Sequence, residues 1–160
     1  MRIISGLQTV YRTQAPFGKA RGNTVPQKLG LAYQKKVAKA IRLLPEIQHV
    51  EETPWFGFSD STGGGLASPD LLVYTNYDAV LCIEVKLSWT PDAVSQLYDF
   101  YLPILTRVAQ TELLPASRVV PLIITKNLLP NAPRAELNIN SALKHNPSLL
   151  HWRGEGGIRW

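Results

Sequence analysis

Disulfide bonds and membrane spans are the first features that this sequence lacks. The chain has one cysteine in 160 residues, so no disulfide can form within it, which fits a reducing compartment. No apolar run approaches the ~20 residues that a membrane-spanning helix needs, and the first residues lack the apolar stretch of a secretory signal. We therefore expect a cytoplasmic protein without a membrane partner. A hydrophobic content of 45% suits one domain with one core.

Acidic residues are absent from the first 45 positions, which carry nine Lys and Arg residues. The remaining 115 residues carry eight basic and twelve acidic residues, so the net charge of +5 comes entirely from the first part of the chain. Such a segment attracts a polyanion, and added salt weakens the attraction. A nucleic acid is therefore the expected partner. A basic surface that serves only solubility and a mitochondrial presequence over residues 1–24 are the alternatives.

The spacing of apolar and turn-forming residues predicts an α/β domain over residues 27–160, preceded by an irregular basic arm over residues 1–26. An amphipathic helix is predicted over residues 27–44, and its basic side, which we expect to bind DNA, carries Lys28, Lys35, Lys36, Lys39 and Arg42. The further predicted elements are a strand at 55–59, a Gly-rich loop at 59–69, a β-hairpin at 70–89 with its turn at 75–78, a helix at 91–110 interrupted near Pro103, a strand at 118–125, a helix at 132–145 and a last strand or extension from 151.

Two carboxylates and one ammonium group are predicted to converge on the hairpin. Side chains alternate along a strand, so Glu84 and Lys86 project to one face. A short turn puts Asp70 opposite Glu84 or one residue away. Neighbouring carboxylates repel unless a cation lies between them, and Mg²⁺ prefers oxygen ligands. The residues thus predict a site for Mg²⁺, or Mn²⁺ in its place, with Lys86 orienting the attacking water or stabilising developing charge. The alternative is a solvated Glu84–Lys86 pair.

The segments SPDLLVY and LCIEVKLS resemble the central hairpin of the PD-(D/E)XK nuclease superfamily. The order helix, strand, hairpin, helix, strand over about residues 27–126 also matches that superfamily's common core. The resemblance implies a restriction-endonuclease-like core, with a central mixed β-sheet flanked by helices. It also implies a metal-dependent endonuclease that hydrolyses DNA phosphodiester bonds, in which Asp70, Glu84 and Lys86 are catalytic and Asp70, Glu84 and Val85 bind the metal.

Within the superfamily, the chain is most similar to Holliday-junction resolvases of archaeal type and to junction-cleaving endonucleases of phages. That similarity implies a prokaryotic or phage-encoded homodimer that cuts branched or structured DNA in recombination and repair. Two alternatives remain open. One is a restriction- or repair-type nuclease that acts on plain duplex, and the other is a catalytically weak or inactive DNA-binding protein of the same fold.

Two glutamines are further candidate catalytic residues, both by resemblance. Many members of the superfamily carry a Glu three or four residues after a Gly on the first helix, where this chain has Gln34. This departure favours the inactive DNA-binding alternative. The acids that could substitute for Gln34 are Glu46, Glu51 and Glu52. Gln96 matches a Gln that several recombination exonucleases place near the active site, although the Tyr that follows four residues later in those proteins is Phe100 here.

Overall fold

A computed structural model of the chain describes residues 3–17, 24–76, 78–88, 90–111 and 118–127. The strands are β1 (Thr9–Thr13), β2 (Ile47–Glu52), β3 (Trp55–Asp60), β4 (Gly63–Ala67), β5 (Leu71–Thr75), β6 (Ala79–Ser88) and β7 (Arg118–Asn127). The helices are α1 (Val25–Arg42), α2 (Pro91–Ser95) and α3 (Leu102–Gln110), with a π-helix at Gln96–Tyr101 between the last two. The fold is therefore α/β. Within these ranges no helix has the length and apolar character to cross a membrane.

Helix α1 forms within two residues of its predicted bounds. The Thr24 hydroxyl accepts a hydrogen bond from the Gln27 N–H (3.4 Å), and the Gln27 side chain accepts one from the Thr24 N–H (3.2 Å). This reciprocal cap contributes about 1 kcal/mol to the start of the helix. Leu29, whose spacing from Tyr33, Val37 and Ile41 predicts a place on the apolar face of the helix, is instead 57% exposed. The side chains that α1 buries are Tyr33, Gln34, Val37, Ala38 and Ile41.

The larger sheet has the strand order β2-β5-β6-β7, in which β6 and β7 are parallel and the other neighbours antiparallel. Its two faces are covered by different elements, as the alternation along β6 predicts. Ile83 and Val85 pack in the core beneath α1, whereas Val80 and Cys82 pack in a second core with α3 and β3. The predicted hairpin and its alternation are confirmed, and the sheet is mixed with helices on both faces.

The smaller sheet, β1-β3-β4, corrects two predictions. The irregular arm predicted over residues 1–26 contains β1, and the predicted loop over residues 59–69 contains β4. Both strands pair antiparallel with β3, so long-range hydrogen bonding overrides their turn-rich composition. Gly57 of β3 leaves room for the Tyr11 ring, which a Cβ at that position would displace. Strand β2, which the sequence does not predict, is a charged edge strand with little alternation.

The interruption predicted near Pro103 is a π-helix rather than a break. The Leu102 N–H bonds the Leu97 carbonyl, five residues back. Pro103 has no N–H to offer the Asp99 carbonyl, and that carbonyl accepts instead from the Ile4 N–H (3.2 Å). The missing N–H of Pro103 thus leaves the Asp99 carbonyl available to bind the N-terminal segment. The helix predicted at 132–145 and the extension predicted from 151 lie outside the described residues.

Candidate active site

Asp70 and Glu84 face each other across the β5–β6 ladder. The register pairs Leu71 with Ile83, so Asp70, one residue before β5, lies opposite Glu84. This placement agrees with the predicted register. Glu84 is buried, with 1% of its surface exposed, whereas Asp70 is half-buried. Two carboxylates therefore leave the same face of the sheet at one end of the hairpin.

Lys86 forms an ion pair with Glu84. The distance from Lys86 Nζ to Glu84 Oε1 is 2.5 Å, and the exposed side-chain fractions are 32% for Lys86 and 2% for Glu84. Removing a carboxylate from water costs several kcal/mol unless it is paired, so the ammonium group offsets the burial of Glu84. The two carboxylates and one ammonium group together carry one net negative charge. The cluster thus retains a local attraction for cations.

Hydrogen bonds hold both the side chain and the main chain of Asp70. Its Oδ2 accepts from the Val85 N–H (2.8 Å), and its carbonyl accepts from the Thr53 N–H (2.8 Å). Thr53 has a φ of 48°, unusual for a β-branched residue, and a strained conformation of this kind costs about 1–3 kcal/mol. The N–H and C=O of one strand residue leave the strand on the same side, so the Val85 carbonyl also points toward Asp70. Asp70 is therefore fixed by strand β6 and by the turn that follows β2.

Gln34 reaches this site from α1, although as a hydrogen-bond donor. Its side chain is buried, and its Nε2 donates to the Asp70 carbonyl (3.1 Å). The amide therefore positions the main chain of Asp70. The prediction that Gln34 lies at the site agrees with this contact, whereas its catalytic role stays a prediction.

The three alternative acids lie elsewhere. Glu51 bonds Arg12 and Tyr74, and Glu52 forms an ion pair with Arg42. Glu46 is at the opposite end of β5, where its carbonyl accepts from Asn76. Across the ranges that the structure describes, no group of three or more His, Cys, Asp or Glu residues is arranged to hold a metal ion. Among the described residues, the site therefore offers two carboxylates.

The π-helix brings Gln96 and Tyr101 together beneath the site. Gln96 Nε2 donates to the Tyr101 hydroxyl (2.9 Å), and that hydroxyl donates to the Ser68 carbonyl (2.9 Å), two residues before Asp70. Because a π-helix adds one residue to the turn, the fifth residue after Gln96 faces it in place of Phe100. Burial, and then the charge of Glu84, raise the pKa of Tyr101, so its hydroxyl stays protonated. The signal that the sequence analysis missed was this five-residue spacing just before Pro103.

Cys82 lies on the same face of β6, two residues before Glu84, and is fully buried. Burial raises the pKa of its thiol, and the negative charges of Glu84 and Asp70 raise it further. The thiolate is the nucleophilic form of cysteine. Cys82 is therefore a core residue that remains protonated.

The predicted DNA-binding residues all lie on the exposed side of α1. They are Lys28, Lys35, Lys36, Lys39 and Arg42. Arg42 is engaged with β2, through Glu52 (2.9 Å) and the Val50 carbonyl (3.4 Å). Exposure agrees with a role in binding a polyanion, and the contact with DNA itself stays a prediction.

The donor set of this site consists of hard oxygen ligands with a neighbouring ammonium group, which suits a hard divalent cation better than a soft one. Of the three histidines, His49 stacks on Tyr74, and the other two lie outside the described residues. No protein-family model, curated protein or solved structure matches this chain.

Proposed function

We propose that this protein is a Mg²⁺-dependent endodeoxyribonuclease of the PD-(D/E)XK type. The observation that carries the proposal is the opposition of Asp70 and Glu84 across the β5–β6 ladder, with Lys86 paired to Glu84. A buried carboxylate beside a second one is unfavourable for stability alone, so the arrangement favours a site that gains from binding a cation. The order α1, β2, hairpin β5–β6, helical region and β7 in and around the larger sheet supports the proposal, although β2 takes the place of the strand predicted at 55–59, which is β3 of the smaller sheet.

The residues present fit a magnesium ion. Asp70, Glu84 and the backbone carbonyl of Val85 would hold it, and Mg²⁺ commonly binds one or two carboxylates while keeping several waters. The bound ion would lower the pKa of a coordinated water and offset the charge that develops on the scissile phosphate. Mn²⁺, which accepts the same oxygen ligands, would substitute for Mg²⁺.

Besides the metal ligands, the chain supplies one further candidate catalytic group, the ammonium group of Lys86. Glu84 holds its ammonium group near the carboxylates, while a third of its side chain remains exposed to an incoming substrate. From this position Lys86 orients the attacking water or places positive charge beside the transition state. The hydrogen bonds from Thr53 and Gln34 to the Asp70 carbonyl keep the opposing carboxylate in register.

The substrate class in this proposal is branched or structured DNA, such as a four-way junction, and the active form is a homodimer. Both parts rest on the resemblance to junction-cleaving enzymes. The exposed lysines of α1 would provide phosphate contacts that do not depend on sequence.

Metal-dependent nicking of supercoiled plasmid tests the proposal. We expect cleavage with Mg²⁺ or Mn²⁺, loss of cleavage in excess chelator, and DNA binding with little cleavage in Ca²⁺. A panel of duplex, flap and four-way junction substrates then ranks the DNA structures. Full cleavage in excess chelator would overturn the metal-dependent mechanism.

A second candidate is a DNA-binding protein of the same fold without catalysis. The observation that favours it is Gln34, which offers an amide donor to Asp70 where many superfamily members carry a carboxylate. A site with less negative charge holds a metal less tightly. The second candidate predicts that the wild-type protein binds the DNA panel and leaves every substrate intact with either Mg²⁺ or Mn²⁺.

A further inference from the structure

A groove with a volume of about 390 Å³ lies between α1 and the ends of β6 and β7. This volume falls in the range of about 300–1,000 Å³ that is usual for small-ligand sites. The described residues that line the groove are Leu29, Ala32, Tyr33, Lys36, Leu87 and Lys126. None of these six is acidic.

The groove adjoins the candidate active site. Leu87 directly follows Lys86, which pairs with Thr125 of β7, so Lys126 lies beside Leu87. Successive strand residues project to opposite faces, so Leu87 faces the groove while Lys86 faces the two carboxylates. The groove therefore opens at the same end of the sheet as the candidate active site, on the opposite face.

The lining of the groove combines charge and apolar surface in a way that suits a nucleotide. Lys36 and Lys126 are exposed and attract a phosphate. Leu29, 57% exposed, and Leu87 offer apolar surface to a sugar or base. Lys36 and Leu29 lie seven residues apart, on the same side of α1, so the charge and the apolar wall belong to one surface.

We propose that this groove binds the DNA strand next to the point of cleavage, with a phosphate between Lys36 and Lys126 and the adjoining sugar or base against Leu29 and Leu87. The inference rests on the proposed nuclease function. It assumes that the DNA strand that crosses the two carboxylates continues around the end of the sheet into the groove.

The test measures binding of a fluorescein-labelled dT₁₂ single strand by anisotropy, with Ca²⁺ in place of Mg²⁺, over a series of salt concentrations. Leu29→Ser should lower affinity about fivefold without changing the salt dependence, since it removes apolar contact and no charge. Its control is Leu43→Ser, which alters a leucine that is 79% exposed and outside the groove and should change affinity less than about twofold.

A second pair of variants tests the charges. Lys36→Gln with Lys126→Gln should lower affinity at least about tenfold and reduce the slope of log K against log salt by about 1.4, or about 0.7 for each lost phosphate contact. The control, Lys35→Gln with Lys39→Gln, removes the same charge from exposed positions of α1 outside the groove. It should lower affinity at least threefold less than the groove pair does.

The groove inference is overturned if Leu29→Ser binds like wild type or if the two lysine pairs lose equal affinity. It is also overturned if Leu29→Ser changes the mass in solution, which would make the groove an interface between copies of the chain. Plasmid nicking by the wild type separates the two proposals. If the wild type cleaves the plasmid and the groove variants bind dT₁₂ like wild type, only the groove inference is refuted. If the groove variants lose affinity and the wild type does not cleave, the nuclease proposal is refuted and the groove remains a DNA-binding site.

Discussion

Two charged clusters lie on the same face of the larger sheet, and they differ in the number of carboxylates set beside one cation among the residues that define them. The cluster at the β2 edge joins Arg12, Glu51 and Tyr74. Arg12 donates to both Glu51 oxygens (2.7 and 3.1 Å) and to the Tyr74 hydroxyl (2.8 Å), and Tyr74 donates to Glu51 (2.7 Å). One cation meets one anion. This cluster, which we call the balanced cluster, is therefore a structural ion pair that links β1, β2 and β5.

The Asp70–Glu84–Lys86 cluster sets two carboxylates beside one ammonium group, and the Thr53 N–H and the Gln34 amide hold the main chain of Asp70. Stability would be served as well by an apolar or neutral side chain at either carboxylate, since buried charges are costly to retain. The difference between the clusters teaches that excess charge held in fixed geometry, rather than charge itself, distinguishes a binding site from a structural ion pair. Four substitutions or sets of substitutions test this distinction.

The largest expected effect is on cleavage. Asp70→Asn, Glu84→Gln and Lys86→Ala should each reduce the cleavage rate at least about 10²-fold, because acid–base and electrostatic contributions are each of that size. The fold and most of the DNA affinity should remain, as judged by circular dichroism and anisotropy. Glu51→Gln is the matched control, since it removes a carboxylate from the balanced cluster. Wild-type rates in any two of the three site variants would refute the site.

Gln34→Glu should tighten metal binding about tenfold by adding a third carboxylate near Asp70. Without metal the same variant should lose about 1 kcal/mol of stability, because a carboxylate cannot donate to the Asp70 carbonyl. Thermal unfolding over a range of Mg²⁺ concentrations measures both effects, since a ligand at ten times its Kd stabilises by about 1.4 kcal/mol. An unchanged metal affinity would place the missing ligand elsewhere.

One tyrosine hydroxyl belongs to the balanced cluster and another lies next to the Asp70–Glu84–Lys86 cluster, which offers a matched pair of substitutions. Tyr101→Phe removes the hydrogen bond to the Ser68 carbonyl and should lower kcat about fivefold with little change in KM, because one buried hydrogen bond contributes about 1 kcal/mol. Tyr74→Phe should cost similar stability and leave kcat unchanged. Equal kinetic effects of the two substitutions would show that Tyr101 acts only through general stability.

The hairpin and its alternation were predictable because the alternation of side chains between the two faces of a strand is a local property of the sequence. Asp70, Glu84 and Lys86 fall on that hairpin, so their convergence followed from register alone. Thr53 and Tyr101 were not predictable, since Thr53 reaches the Asp70 carbonyl from a strained turn and Tyr101 reaches the Ser68 carbonyl from a π-helix. Strand β4 depends on β3 for every hydrogen bond that defines it, and its composition favours a turn. The sequence thus predicts the two carboxylates, Lys86 and, by resemblance, Gln34, and it does not predict Thr53 or Tyr101.

The smallest expected effect is the pH dependence of the balanced cluster. Burial alone would raise the pKa of Glu51, but the hydrogen bonds from Arg12 and Tyr74 outweigh it and lower that pKa below 4.5. A carboxyl group whose pKa is lower in the folded state stabilises the fold above its unfolded pKa, and the contribution disappears as the pH falls through the folded pKa.

Glu51→Gln should therefore cost about 1 kcal/mol at pH 7, since the Arg12–Glu51 pair is partly exposed and screened by solvent. The difference from wild type should shrink as the pH falls below 4.5, because the wild-type carboxylate then becomes protonated and loses the same interaction. Thermal unfolding of both proteins between pH 7 and pH 3 measures this convergence. A difference that stays constant over the whole range would mean that Glu51 acts through packing, and the contrast between a charge-matched and a charge-excess cluster would lose its basis.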